Sequence, residues 1–353
     1  MKVLILGGTG AMGVHLVELM SGTQYNVTVT SRSIRVSNCP NINFICGNAM
    51  DTKFIVPLLK DSWDVIIDFM AYTEEVFAMR VEHLLNAASQ YIFLSSSRVY
   101  AECNGLITEE SDRLLDVSSD DEYLKTDDYA LSKARQENIL RKSGYKNWTI
   151  IRPYITYSEN RLQLGMIEKE NWLFRAINGN TIVFSNDISL KYTTLTYGLD
   201  VAKGIISVIG KHEALCQIFH ITSNKSIKWN DVLEIYLDVL EGNLGFRPNV
   251  SLIDKEAFVK LHPYKYAIIY DRLYDRKFDN RKITNFITTD NFMDAADGLK
   301  LCLEKFLKQP KFGAISWRAE AKKDKMLKEY TSILKIEGIR SKLVYLICRF
   351  TNF

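Results

Sequence analysis

A short apolar run, Val3-Leu4-Ile5-Leu6, ends in Gly7-Gly8-Thr9-Gly10-Ala11-Met12-Gly13, and apolar residues then return as Val14, Leu16, Val17 and Met20. That order predicts a buried strand, a glycine turn and a helix packed back on the strand. Gly7 permits the tight turn, Gly10 lets the backbone approach a pyrophosphate, and Gly13 lets helix and strand pack closely. Phosphates would sit over the helix N-terminus beside Ala11 and Met12, where free N–H groups and the helix dipole favour an anion. An ordinary turn is the alternative, and a glycine pattern alone does not exclude it.

The alternation continues. Asn26–Thr30 is β-branched and reads as a second strand, Ile42–Ile45 as a third, Val65–Phe69 as a fourth and Tyr91–Leu94 as a fifth, with a helical segment over Val76–Ala88. Strands alternating with helices predict an α/β fold: a Rossmann-type, doubly wound parallel sheet with helices on both faces. After Arg152-Pro153 the alternation fades. Trp172–Asn178 and Trp229–Leu240 read as helices, Thr181–Phe184 and Ile218–Thr222 as short strands. These segments predict a smaller α+β lobe. The expected division is a dinucleotide-binding domain over 1–155, to which some later segments return, a substrate lobe over 156–306 and a basic, helical C-terminal tail over 307–353.

Composition narrows the class. A chain of 353 residues, 47% hydrophobic and 25% charged, has material for two packed lobes and no sign of disorder. Formal net charge of +3 argues against a nucleic-acid binder that works by neutralising phosphates. The six cysteines are scattered, without CxxC pairs, which predicts neither a metal site nor a disulfide framework. The N-terminal apolar run is too short for a signal peptide, and no stretch is long enough to span a membrane, so a cytoplasmic location is expected. In the tail, Lys and Arg outnumber Asp and Glu and leucines and isoleucines recur irregularly. It reads as a solvated helix docked on its own protein, with a membrane-surface or partner-binding helix as the alternative.

At the end of the second strand, where an acidic residue would bind the ribose of NAD, stand Ser31-Arg32-Ser33, with Arg35 nearby. A guanidinium there can hold a 2′-phosphate, which favours NADP, with NAD possible and a plain surface charge as the alternative. Asn48, after the third strand, is a candidate for the adenine edge. Ser95-Ser96-Ser97-Arg98-Val99-Tyr100 follows the fifth strand, and Tyr129 and Lys133 lie one helical turn apart downstream. An ammonium beside a phenol favours the phenolate, which suits Tyr129 to proton transfer, and a strand-end serine can hold the substrate oxygen.

Taken together, Gly7-x-x-Gly10-x-x-Gly13, Leu94 to Tyr100, Tyr129-x-x-x-Lys133 and Ile151-Arg152-Pro153-Tyr154 resemble the extended short-chain dehydrogenases/reductases of the NAD-dependent epimerase/dehydratase family. Tyr197 to Ala202 and Phe278 to Lys282 carry weaker similarities, so the resemblance covers roughly residues 1–306 and leaves the tail outside. It implies Ser96, Tyr129 and Lys133 as the catalytic set. It also implies that Lys133 binds the nicotinamide ribose, that Pro153 and Tyr154 line the nicotinamide pocket, and that Met70 and Ala71 run beside the cofactor. The implied activity is hydride transfer on a sugar, in nucleotide-linked form, by a reductase or an epimerase that works as a homodimer. Sugar-nucleotide dehydratases of the family carry Asp-Glu after the catalytic hydroxyl residue, whereas Ser97-Arg98 follows Ser96 here, which disfavours dehydration. A non-catalytic relative that binds RNA or senses NADP(H) is the alternative from another class.

Overall fold

The computed structural model describes residues 1–351 as two compact units, one made of 1–158, 194–225 and 277–295, the other of 159–193, 226–276 and 296 onward. The first unit is built on a seven-stranded sheet. Its strands are β1 (Lys2–Leu6), β2 (Asn26–Ser31), β3 (Ile42–Cys46), β4 (Trp63–Asp68), β5 (Ala88–Leu94), β6 (Trp148–Pro153) and β7 (Gln217–Ile221). They lie in the order β7-β6-β5-β4-β1-β2-β3, every pair parallel. The order reverses direction at β1, the switch point where doubly wound sheets bind ligands outside the strands' carboxyl ends.

The strands alternate faces with period two, and each face has its own core. Val3, Ile5, Val27, Val29, Val65 and Ile67 point to one side, against α1 (Gly13–Met20). Leu4, Leu6, Ile66, Tyr91 and Phe93 point to the other, against α2 (Thr52–Leu58), α3 (Glu74–Asn86) and α4 (Tyr129–Lys142). Because both faces are covered, the central strands read as continuous apolar runs. Helix starts are fixed by side chains: Thr73 accepts the Val76 N–H on α3, and Asp128 accepts the Ala130 N–H on α4. The helix α5 (Gly198–Val208) covers the first face, with Val201, Ile205 and Val208 in its core. The stretch Ile218–Thr222, which the sequence marks as a strand, forms the sheet's edge beside β6.

In the second unit the helix Lys169–Ile177 packs with α6 (Trp229–Leu244), where Trp172 stacks on Tyr236 with ring centroids 4.5 Å apart. A short parallel pair, Ile182–Ser185 with Val250–Ile253, lies beside them. The C-terminal residues add α7 (Ala295–Lys308), α8 (Trp317–Leu327) and α9 (Ile339–Phe350). Residues 307–351 are thus built into this unit: Arg175 donates to Glu320 at 2.9 Å, Asp324 at 2.8 Å and Glu329 at 2.8 Å. No helix among the described residues is long and apolar enough to cross a membrane.

Candidate active site

The glycine turn leaves β1 and enters α1 as the spacing requires. Gly7 has φ +74°, and a side chain there would press on the Met70 sulfur at 2.9 Å. Gly13 lies against the backbone of Gly8, so a Cβ would come within 2.6 Å of it. Around Gly10 a Cβ would meet nothing within 4 Å. The turn is thus open at its second glycine and closed at the other two. Met12 caps α1 without a side-chain hydrogen bond, and no acid stands in the first turn, so nothing negative competes for the helix N-terminus. This cradle fits the diphosphate of a dinucleotide, which the N–H groups around Ala11 and Met12 would hold.

Ser31 is buried at the end of β2, and Arg32 and Arg35 beyond it are exposed. Among the described residues the Arg32 guanidinium makes no hydrogen bond to protein, which leaves its donors for an anion. Asn48 is exposed, and its side-chain oxygen accepts the Met50 N–H at 3.1 Å, closing a local turn and leaving the amide NH₂ outward. Met70 follows β4. Its N–H is held by Asp68 at 2.9 Å, so the chain from Met70 to Ala71 turns past the first glycine.

Ser96 starts a short turn after β5, and its hydroxyl oxygen accepts the Arg98 N–H at 3.2 Å. That bond fixes the oxygen and leaves the hydroxyl proton for an outward acceptor. Tyr129 is the first residue of α4 and is 41% exposed. The Arg98 guanidinium lies 5.4 Å and the Lys133 ammonium 6.0 Å from the centre of its ring. Arg98 therefore joins the two expected hydroxyls, holding Ser96 by its backbone and Tyr129 by its side chain. The same guanidinium lies 3.6 Å from the Asp128 carboxylate.

Lys133 is buried and donates to the carbonyls of Leu94 at 2.8 Å and Met70 at 3.3 Å. Burial pushes its ammonium down to about 8, with Asp68 and Glu137 pulling the other way. Asp68, fully buried at the end of β4, accepts the Tyr91 hydroxyl at 2.8 Å. Burial raises its carboxyl above the usual range despite the bonds from Met70 and Tyr91 and the charge of Lys133.

The support beneath these groups was not visible as function in the sequence. Glu137, one turn beyond Lys133, accepts from Ser95 at 2.5 Å and from both sides of the Arg152 guanidinium at 2.8 and 2.7 Å. Arg113 adds a third contact at 3.2 Å. Burial alone would raise the Glu137 carboxyl, but Arg152, Ser95 and Arg113 together outweigh it and hold it below the usual range. The cluster ties α4 to the ends of β5 and β6, and Ser97 donates to the Arg152 carbonyl at 2.8 Å. Arg152 itself signalled the cluster, being a charge inside an apolar strand; its partner did not. Pro153 ends β6, and the Tyr154 ring lies 5.2 Å from that of Phe278. Among the described residues no group of His, Cys, Asp or Glu is placed to hold a metal ion.

Comparison with known proteins agrees with this architecture. The Arabidopsis thaliana chloroplast stem-loop binding protein of 41 kDa b is 26% identical over 247 residues, covering 65% of this chain and 60% of its own length. The chain thus spans less than two thirds of that relative. Among solved structures, the Bacillus cereus UDP-glucuronic acid 4-epimerase in complex with UDP-glucuronic acid and NAD is 16% identical, with TM-score 0.67, covering 87% of this chain and 99% of that one. The Bordetella bronchiseptica enzyme WbmH in complex with NAD⁺ is 15% identical with TM-score 0.67, covering 88% and 99%. The dTDP-glucose 4,6-dehydratase of Bacillus anthracis with NAD is 17% identical with TM-score 0.65, covering 88% and 97%. The profile of the NAD dependent epimerase/dehydratase family matches residues 3–221, and the chain belongs to that family.

Proposed function

We propose that this protein is a nicotinamide-dependent reductase or epimerase acting on a carbinol of a sugar, in nucleotide-linked form, with Tyr129 as the proton-transfer group. The observation that carries this reading is Tyr129 standing at the mouth of α4 between two cations, Arg98 and Lys133, with Ser96 fixed by the Arg98 backbone. The bound cofactor supplies the hydride acceptor and donor. Ser96 donates its hydroxyl proton to the substrate oxygen and orients it. Tyr129, its phenolate favoured by the neighbouring cations, takes the substrate hydroxyl proton and returns it in the reverse direction. Lys133, anchored on two carbonyls, has a third N–H for a ribose hydroxyl. Pro153 and Tyr154 border the nicotinamide. The nucleotide sugars bound by the structural relatives suggest the substrate class. Ser97 and Arg98, in place of an acid pair, disfavour water elimination.

Tyr129→Phe should lower kcat/KM with a nucleotide-sugar substrate by about 10²- to 10⁴-fold while cofactor binding, followed by nicotinamide fluorescence, persists. Full activity in that variant would remove the mechanism. Consumption of reduced cofactor marks a reductase, and product without net consumption an epimerase.

Arg32 supports NADP over NAD, since its exposed guanidinium follows β2 where the adenosine ribose lies in such folds. Arg32→Ala should weaken NADPH binding by roughly ten- to hundredfold and leave NADH nearly unchanged, as measured by fluorescence titration. Equal losses for both cofactors would assign NAD. The name of the Arabidopsis relative favours a second reading, in which the chain binds structured RNA. Salt-dependent RNA binding that survives Tyr129→Phe, in a protein without activity towards sugars, would select it.

A further inference from the structure

The amphipathic helix α9 is inverted. Its Tyr345 is fully buried, donating its hydroxyl to Asp324 at 2.6 Å and accepting the Thr331 N–H at 2.7 Å. On the opposite side Ile339, Leu343, Ile347 and Phe350 are exposed, by 77%, 54%, 49% and 65%. Their spacing of four, four and three residues places them in one stripe along the helix. Contiguous apolar surface of this kind marks an interaction site.

Charge indicates what covers it. Residues 317–351 hold nine Lys or Arg and four Asp or Glu. Three of those acids are turned inward: Glu320, Asp324 and Glu329 all engage Arg175, and Glu320 also takes the buried Lys323. Apart from Lys323, the bases are exposed or half-exposed. On α9, Arg340 and Lys342 fall on the two flanks of the stripe, and the helix contains no acid. A second copy of the chain pairing through this face about a two-fold axis would bring like charges together with no acid on either helix to offset them. An anionic bilayer offers both things the face requires, an apolar interior for the stripe and phosphates for its basic edges.

We infer that α9 docks the protein on an anionic lipid surface, with Ile339, Leu343, Ile347 and Phe350 at the headgroup boundary and Arg340 and Lys342 on lipid phosphates. The buried cluster around Arg175 and Asp324 holds the helix so that this side faces outward. This inference is independent of the proposed reaction.

The test is co-sedimentation of the full chain with vesicles of phosphatidylcholine alone and of phosphatidylcholine containing about one third phosphatidylglycerol. The expected result is binding to the anionic vesicles only, weakened by salt, and unchanged by Tyr129→Phe. Leu343→Glu with Ile347→Glu, and separately Arg340→Glu with Lys342→Glu, should each reduce partitioning by about tenfold or more. All four positions lie outside the buried cluster, and circular dichroism verifies that the variants fold. Absence of binding to anionic vesicles, or full binding by either double variant, overturns the inference. So does a dimer in analytical ultracentrifugation that Leu343→Glu with Ile347→Glu dissociates, or a stem-loop RNA whose binding is lost in the same variants while vesicles are ignored.

Discussion

The Lys133 ammonium has three protons and two carbonyl acceptors, Leu94 and Met70, at the ends of adjacent strands. Its position is therefore fixed by backbone rather than by its flexible stem, and its proton is held against the cost of burial. That cost has a thermodynamic consequence. The folded-state value of about 8 lies below the ordinary 10.5, so between those two pH values the unfolded chain binds more protons and this group's contribution to stability rises with pH. In the proposed mechanism catalysis runs the other way, because a neutral Lys133 would no longer favour a Tyr129 phenolate. kcat/KM should fall above about pH 8. Asp68 pulls the Lys133 proton towards retention, so Asp68→Asn should move this alkaline limb to lower pH, read from the pH profile of kcat/KM. A limb that stays in place would detach Asp68 from Lys133. The sequence made Tyr129 and Lys133 legible through their i, i+4 spacing; Asp68 looked like the polar end of an apolar strand, because only the fold brings it to Lys133.

At the scale of elements, the glycine turn separates folding from binding within seven residues. Gly13→Ala forces a Cβ into the Gly8 backbone, which cannot rotate away, and should cost ~2 kcal/mol or more of stability in urea unfolding. Gly10→Ala meets no protein atom, so the fold should be retained while the methyl occupies the space that a diphosphate approaches. Cofactor affinity should drop in Gly10→Ala with the unfolding midpoint nearly unchanged; an unaltered affinity would take the phosphates away from this turn. The strands β1 to β5 were readable because buried parallel strands are apolar throughout and end at turn residues. Ile218–Thr222 was readable as a strand but not as the neighbour of β6, since parallel pairing across more than sixty residues leaves no local mark. Within the cluster of Ser95, Glu137, Arg113 and Arg152, only Arg152 stood out, as a charge inside an apolar strand; its partners Glu137 and Arg113 were hidden for the same reason, being ordinary in their own segments.

Over the whole chain, the C-terminal residues show what composition leaves unsaid. A stretch rich in lysine reads as a solvated helix docked on its own protein, and the docking runs through charged groups: Arg175 gathers the buried Glu320 and Asp324 and the half-buried Glu329, and Thr331 and Tyr345 complete Asp324. Buried ion clusters add little net stability compared with apolar packing, but removing one partner strands the rest. Arg175→Leu should therefore cost ~3–5 kcal/mol within the second unit. The deficit should be largest at neutral pH and shrink on acidification, because burying a protonated carboxylic acid costs far less than burying a carboxylate. Differential scanning calorimetry at two pH values measures this. Arg175, Glu320 and Asp324 all belong to the second unit, whereas the glycine turn belongs to the first. The reduced nicotinamide cofactor should accordingly still bind Arg175→Leu at temperatures below its transition. Loss of cofactor binding in parallel with the second unit's unfolding would show instead that the two units stand or fall together.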